Sequence, residues 1–136
     1  MVSPTRAMMT AEGARRRAEL KICAFGSSPA DKAVSLVYER VLHDAASPVS
    51  TERCRTQIAG VLDVLDADRS ARDTSFWFGD RIGHADVMVA CARRFLTEAH
   101  PGLFQPDRWP ALAAHAAQCE ALPAFQAVAQ TFDPPR

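Results

Sequence analysis

Two side chains that bind metals, His115 and Cys119, lie four residues apart in this sequence. On a helix that spacing brings both onto one face, where an imidazole and a thiolate can share a zinc ion. A bound zinc ion needs a third ligand as well, and the sequence offers none nearby. The pattern therefore predicts no metal site, and we expect both residues on a helix surface.

A second pair of candidates, His84 and Asp86, lies in the first turn of a predicted helix. The positive end of a helix dipole disfavours a charged imidazole, so we expect His84 to pack or to face solvent. Asp86 has a capping role, which argues against a catalytic one. The sequence also has no Gly-rich phosphate loop, no Gly-x-Ser-x-Gly turn and no Cys–His pair with an orienting third group. We predict no catalytic and no cofactor-binding residue in this chain.

The capping role of Asp86 follows from the residues around it. Gly83 occupies the N-cap position, and Asp86 three residues later can accept a hydrogen bond from the N-cap N–H. Ile82 before the cap and Val87 at the fourth helical position can form a hydrophobic staple. The run from Ala85 to Ala92 is apolar almost all round, which predicts a buried central helix ending near His100.

Apolar spacings of three and four predict further helices along the chain. The first covers residues 11–25, and Gly26 to Asp31 then predicts a break. Ser28, Pro29 and Asp31 suit the N-cap, first and third positions of a new helix. Further helices are predicted from that cap to about His43, from a cap at Ser50 to Ala67, from a cap at Asp107 to Glu120, and from Pro123 to Ala129 or Gln130.

These six helical segments, with no strand-like alternation, predict an all-α fold, a bundle of about six helices. We expect a loose lead-in over residues 1–10, one helical domain over residues 11–130 and a tail over residues 131–136.

Composition excludes several classes of protein. The 136 residues carry 16 basic and 16 acidic side chains, and a net charge of +0 argues against nucleic-acid partners. No run reaches the ~18 apolar residues that a membrane span needs. The four cysteines (Cys23, Cys54, Cys91 and Cys119) show no paired spacing, and no signal peptide precedes them. We expect a reduced, cytoplasmic protein with no membrane partner.

The stretch from Gly79 to Val87, with its Gly-rich approach, cap and Ala-Asp pair, resembles the helix-capping signature of the C-terminal, all-helical domain of glutathione transferases. Gly83 departs from that signature, because the family has Ser or Thr at the cap. Gly is nevertheless a tolerated N-cap residue. Residues 32–42, 95–104 and 111–125 also resemble bacterial members, so the resemblance covers nearly the whole chain after about Gly13.

The resemblance implies a function that the residues alone do not. The family has a thioredoxin-like half, which binds and activates glutathione, and a helical half that lines the electrophile pocket. This chain opens about where the interdomain linker would end, so no catalytic residue carries over. We therefore expect the electrophile-site and dimer-contact domain of a transferase-like protein that acts in detoxification. The resemblance places the pocket near Arg15–Cys23 and makes glutathione the co-substrate of the full form. We expect this chain to be inactive alone. The alternative is a non-enzymatic helical binding or assembly module.

The resemblance also implies partners, either a second copy in a homodimer or a thioredoxin-like domain. The surface that meets the other half in the family should then face water here. We expect Met8, Leu20, Ile22 and Phe25 to contribute to an exposed apolar patch.

Overall fold

A computed structural model describes residues 6–42 and 47–133 of the chain. Within those residues the regular elements are five helices: α1 (Gly13–Leu42), α2 (Pro48–Ser70), α3 (His84–Ala99), α4 (Pro110–Glu120) and α5 (Pro123–Ala127). This confirms the all-α prediction. The predicted helix end at His43, part of the lead-in (residues 1–5) and part of the tail (residues 134–136) lie outside the described residues.

The predicted break between residues 26 and 31 is wrong, because α1 runs through it as one helix of 30 residues. Pro29 lies inside α1 and is buried, although a proline there removes a backbone hydrogen bond. Gly26 explains part of the continuity. A Cβ added at Gly26 would lie 3.0 Å from Val89 Cγ2, so the glycine lets α1 and α3 approach closely. Tertiary packing of this segment overrides its local turn signals.

The starts of α2 and α4 also differ from the predicted caps. Ser47, not Ser50, is the N-cap of α2: its side chain accepts a hydrogen bond from Ser50 N at 3.4 Å, and Pro48 occupies the first helical position. The N-cap of α4 is Trp109, not Asp107. Asp66 of α2 accepts a hydrogen bond from Leu112 N at 2.9 Å, so α4 is capped from another helix. A cap of that kind leaves no local sequence signal.

The core lies where α1, α2, α3 and α4 meet. Trp77, in the connection between α2 and α3, is 0% exposed. Apolar side chains of α2 face this core, with Ile58, Leu62 and Leu65 buried and Cys54 and Val61 packed beside them. Each fully buried aliphatic side chain contributes about 1.5–3 kcal/mol to the free energy of unfolding.

Two predictions of exposure need correction. Helix α3 is not buried all round, because Met88 and Cys91 are exposed on one of its faces. Of the residues expected in an exposed patch, Met8 and Leu20 are exposed. Ile22 is instead a core residue and Phe25 packs half-buried against the core. Both belong to the main core cluster or pack against it, so neither forms part of an exposed patch.

Candidate functional site: a buried polar centre and a cavity at the start of α1

Asp86, in the first turn of α3, is the centre of a buried hydrogen-bond network. Gly83 is the N-cap of α3, and its N–H donates to Asp86 Oδ2 at 2.9 Å. Asp86 Oδ1 accepts hydrogen bonds from Trp77 N and His115 Nε2, each at 2.8 Å. With a relative exposure of 1%, Asp86 joins the helix cap, the preceding loop and α4 in one buried site.

This network sets the charge of Asp86. Burial raises the pKa of the Asp86 carboxyl, whereas the hydrogen bonds from His115, Gly83 N–H and Trp77 N–H lower it. The net effect is a pKa below the usual value of an aspartate, because three donors favour the charged form. Asp86 is therefore a buried carboxylate that its partners stabilise.

His115 and Cys119 belong to this centre and not to a helix surface, so that prediction is wrong. His115 is 2% exposed and lies edge-on to Trp77, with ring centroids 5.2 Å apart. Cys119 Sγ lies 3.7 Å from His115 Nε2 and is fully buried. Burial and the nearby Asp86 charge raise the pKa of the Cys119 thiol to about 12, so it stays protonated and is not a nucleophile.

No local pattern predicts the pair between Asp86 and His115, which lie 29 residues apart. The only available signal was a histidine in an otherwise alanine-rich helix. Within the described ranges, no group of three or more His, Cys, Asp or Glu side chains could hold a metal ion. The four cysteines are free.

The other residues around the cap have separate surroundings. His84 is exposed, and its backbone N–H donates to Met8 O at 3.0 Å. Ile82 packs against a small cluster of Phe76, Ala90 and Cys119. Val87 is half-buried, and the staple between Ile82 and Val87 stays a prediction.

A cavity of about 370 Å³ lies beside the cap, between residues 7–11, the start of α1 and the first turn of α3. Arg15 and Glu19 of α1 line it. Glu19 accepts hydrogen bonds from Thr10 N at 2.8 Å, Thr10 Oγ1 at 3.0 Å and Arg15 Nε at 3.1 Å. Burial raises the pKa of Glu19, but these bonds lower it to below its usual value overall. Hydrogen bonds to the buried Glu19 carboxylate, one of them from the exposed Arg15 guanidinium, therefore fix this wall.

Arg15 and Phe78 separate this cavity from a smaller one of about 270 Å³. Arg15 Nη2 donates to Phe78 O, which joins α1 to the loop before α3. The Arg72 guanidinium lies over the Phe78 ring at 4.4 Å. The shared wall therefore presents the Phe78 ring and the Arg15 guanidinium. The contacts described use two of the five N–H groups of Arg15.

These features define an all-helical domain whose central helix has a buried capping aspartate in its first turn. The family model described as "Glutathione S-transferase, C-terminal domain" matches residues 48–118. The chain therefore belongs to the family of glutathione S-transferase C-terminal domains. A search of the curated proteins found no match.

Solved structures of glutathione transferases share the fold. A glutathione S-transferase from Methylobacillus flagellatus, solved with glutathione bound, has a TM-score of 0.82 at 20% identity and covers 92% of this chain. One from Methylobacterium radiotolerans, in complex with glutathione sulfonate, has a TM-score of 0.81 at 23% identity over 98% of this chain. A family member from Pseudomonas fluorescens, with bound S-(propanoic acid)-glutathione, has a TM-score of 0.79 at 26% identity over 90%.

The chain spans about three-fifths of the length of these structures, namely 61%, 64% and 60% of each. None of the helices in the described residues is long and apolar enough to cross a membrane.

Proposed function

We propose that this chain is the helical domain of a glutathione transferase-like protein, in which it lines the electrophile pocket and contributes to the subunit contact. Glutathione is then the co-substrate of the full form, as the structural neighbours solved with glutathione or its derivatives suggest. The thioredoxin-like half supplies glutathione binding and thiol activation. The four free cysteines support a reducing compartment such as the cytoplasm.

The cavity at the start of α1 carries this proposal. In the family, the early part of the corresponding helix contributes to the electrophile pocket, and Arg15 and Glu19 of α1 line a cavity here. Met8, Phe78 and Ile82 give it apolar walls suited to an apolar electrophile. Arg15 can donate a hydrogen bond to a polar group on that electrophile.

We infer that the helical domain needs a partner for catalysis, and the lining of this cavity supports that inference. Thr10 has the only hydroxyl group among the described lining residues, and it donates to Glu19. Cys119, near the cap, is buried and protonated. The apolar walls and Arg15 can therefore orient an electrophile, and we assign the activation of the glutathione thiol to the thioredoxin-like half.

The test compares the chain alone with a fusion behind the thioredoxin-like half of the Pseudomonas fluorescens protein. Calorimetry with glutathione and a conjugation assay should show neither binding nor turnover above background for the chain alone. The fusion should show both. Arg15→Ala in the fusion should raise the KM for the electrophile, while Arg53→Ala, on the exposed surface of α2, should not.

Glutathione turnover by the chain alone would contradict the proposal that the thioredoxin-like half is required for glutathione binding and activation. A folded fusion that binds glutathione but does not accelerate conjugation would favour the alternative, a non-enzymatic binding or assembly module. The burial of Asp86, His115 and Cys119 supports that alternative, because these three side chains do not reach solvent.

A further inference from the structure

A cavity of about 410 Å³ lies between the second half of α3, α5 and residues 128–133. We call it the tail cavity. Three half-buried phenylalanines line it, and two of them, Phe95 and Phe132, meet edge to face with centroids 5.2 Å apart. Phe125 of α5 and Val128 complete the apolar part of the lining. The site is separate from the cavity at the start of α1, since none of its lining residues is shared.

The charges on the tail cavity are unequal. Its lining contains one guanidinium, Arg94, and three carboxylates, Glu98, Glu120 and Asp133, which gives a formal charge of +1 − 3 = −2. Arg94 donates to Glu98 Oε1 at 2.9 Å and to Glu120 Oε2 at 3.1 Å. The positive charge is therefore already neutralised within the wall.

The hydrogen bonds also show which acceptors remain. Glu98 Oε2 accepts from Phe132 N at 2.7 Å, so both oxygens of Glu98 have partners. Only one oxygen of Glu120 has a described partner, and the carboxylate of Asp133 has none within residues 6–42 and 47–133. Among the described residues, the Glu120 and Asp133 carboxylates thus keep acceptors without a partner beside the aromatic rings.

We propose that the tail cavity binds small organic cations, namely ammonium compounds with an aromatic or aliphatic body. Aromatic rings attract cations through their negative faces, and the carboxylates add both charge and hydrogen-bond acceptors. The volume lies within the range of small-molecule pockets. Anions are disfavoured, because the carboxylates repel them and the guanidinium is occupied. This proposal does not depend on the proposed transferase function.

Three probes with the same phenyl body test the proposal: 2-phenylethylamine, 2-phenylethanol and 3-phenylpropionate. Each is titrated into the full chain and followed by NMR chemical shifts and calorimetry. The amine should bind in a saturable way and at least about tenfold more tightly than the alcohol or the acid. Its affinity should fall with added salt, because the attraction between charges is screened.

Two variants locate the binding. Glu120→Gln keeps the shape and removes one charge, so it should weaken amine binding about fivefold or more and leave alcohol binding unchanged. Phe132→Ala should weaken binding of both probes. Glu52→Gln, an exposed glutamate on the lining of a different cavity, should change neither. Thermal melts check that each variant is folded.

The proposal is overturned if the three probes bind equally, if none of them binds, or if Glu120→Gln binds the amine as tightly as the unchanged chain. Amine binding that persists in Phe132→Ala at full strength also places the site elsewhere.

Discussion

Three hydrogen-bond donors surround the buried carboxylate of Asp86. Removing this side chain should therefore cost more stability than the loss of a helix cap alone. Asp86→Ala would leave Gly83 N–H, Trp77 N–H and His115 Nε2 buried without their acceptor. An isolated N-cap contributes about 1 kcal/mol, whereas each buried donor left without its acceptor costs about 1–3 kcal/mol. We expect the free energy of unfolding in urea to fall by about 3 kcal/mol or more.

The matched control for that loss is Asp31→Ala, an exposed aspartate on α1, which should change stability by less than about 0.5 kcal/mol. If Asp86→Ala lowers stability by only about 1 kcal/mol, the contacts from Trp77 and His115 contribute little, and only the capping role survives.

The pKa of Asp86 makes this contribution depend on pH. Its folded-state pKa is lowered, while an aspartate in an unfolded chain titrates near about 3.9. The stabilisation is therefore complete above about pH 5 and is lost as the pH falls below about 4 towards the folded-state pKa. In urea melts between pH 5 and pH 3, Asp86→Asn should lose less stability than the unchanged chain.

Other carboxylates with lowered pKa values, such as Glu19, are present in both proteins, so the difference isolates Asp86. Parallel losses of stability with pH in the two proteins would contradict a charged Asp86 in the folded state.

Gly83 looks from the sequence like a cap that Ser would improve, but the structure predicts the opposite. A Cβ added at Gly83 would lie 3.0 Å from Met8 O, which already accepts the hydrogen bond from His84 N. Gly83→Ser should therefore displace residues near Met8 and lower the free energy of unfolding by up to about 1 kcal/mol. A urea melt in which Gly83→Ser is more stable would show that this backbone shifts readily.

At the scale of the helices, two glycines test what packing contributes to α1 and α2. Gly60 lies in α2 with nothing within 4 Å of an added Cβ, so Gly60→Ala should stabilise the protein by about 0.5–1 kcal/mol through helix propensity. In α1, Gly26→Ala gains the same propensity but its Cβ would lie 3.0 Å from Val89 Cγ2. We expect Gly26→Ala to be destabilising by about 1 kcal/mol or more in thermal or urea melts.

Each variant is the control for the other, since the chemical change is identical. Equal effects at the two positions would mean that the close approach of α1 and α3 at Gly26 does not contribute to stability. That approach would then not explain why α1 continues through Pro29.

The elements that local sequence can predict are those that local contacts determine. The start of α3 was predictable because Gly83 and Asp86 act within one helical turn. The continuity of α1 was not, because Gly26 and Pro29 signal a turn locally and only packing against α3 keeps them helical. The cap of α4 was missed for the same reason, since Asp66 acts from another helix.

In the candidate site too, some features could be predicted from the sequence, whereas others depend on tertiary packing. The resemblance pointed to the start of α1, where Arg15 and Glu19 line a cavity. The partner of Asp86 could not be predicted, because His115 reaches it only after α4 folds onto α3. The tail cavity likewise depends on where residues 128–133 pack, which no periodic pattern encodes.

For the whole molecule, the surface of α1 is the feature that predicts a partner. Val34, Tyr38 and Leu42 are exposed at spacings of four residues, with relative exposures of 39%, 53% and 67%. Residues at that spacing lie on one face of a helix, so they form an apolar stripe along the second half of α1. Leu20, 45% exposed, adds an apolar side chain in the first half.

We propose that this stripe pairs with the same stripe of a second copy, because one self-complementary surface closes most simply as a two-fold dimer. Sedimentation velocity across a concentration series should then show a reversible monomer–dimer equilibrium. Tyr38→Glu places a charge at the centre of the stripe and should weaken association about tenfold or more. Val128→Glu, at an exposed apolar position directly after α5, should leave it unchanged. A monomer at every concentration, or equal effects of both variants, would show that the stripe does not mediate self-association.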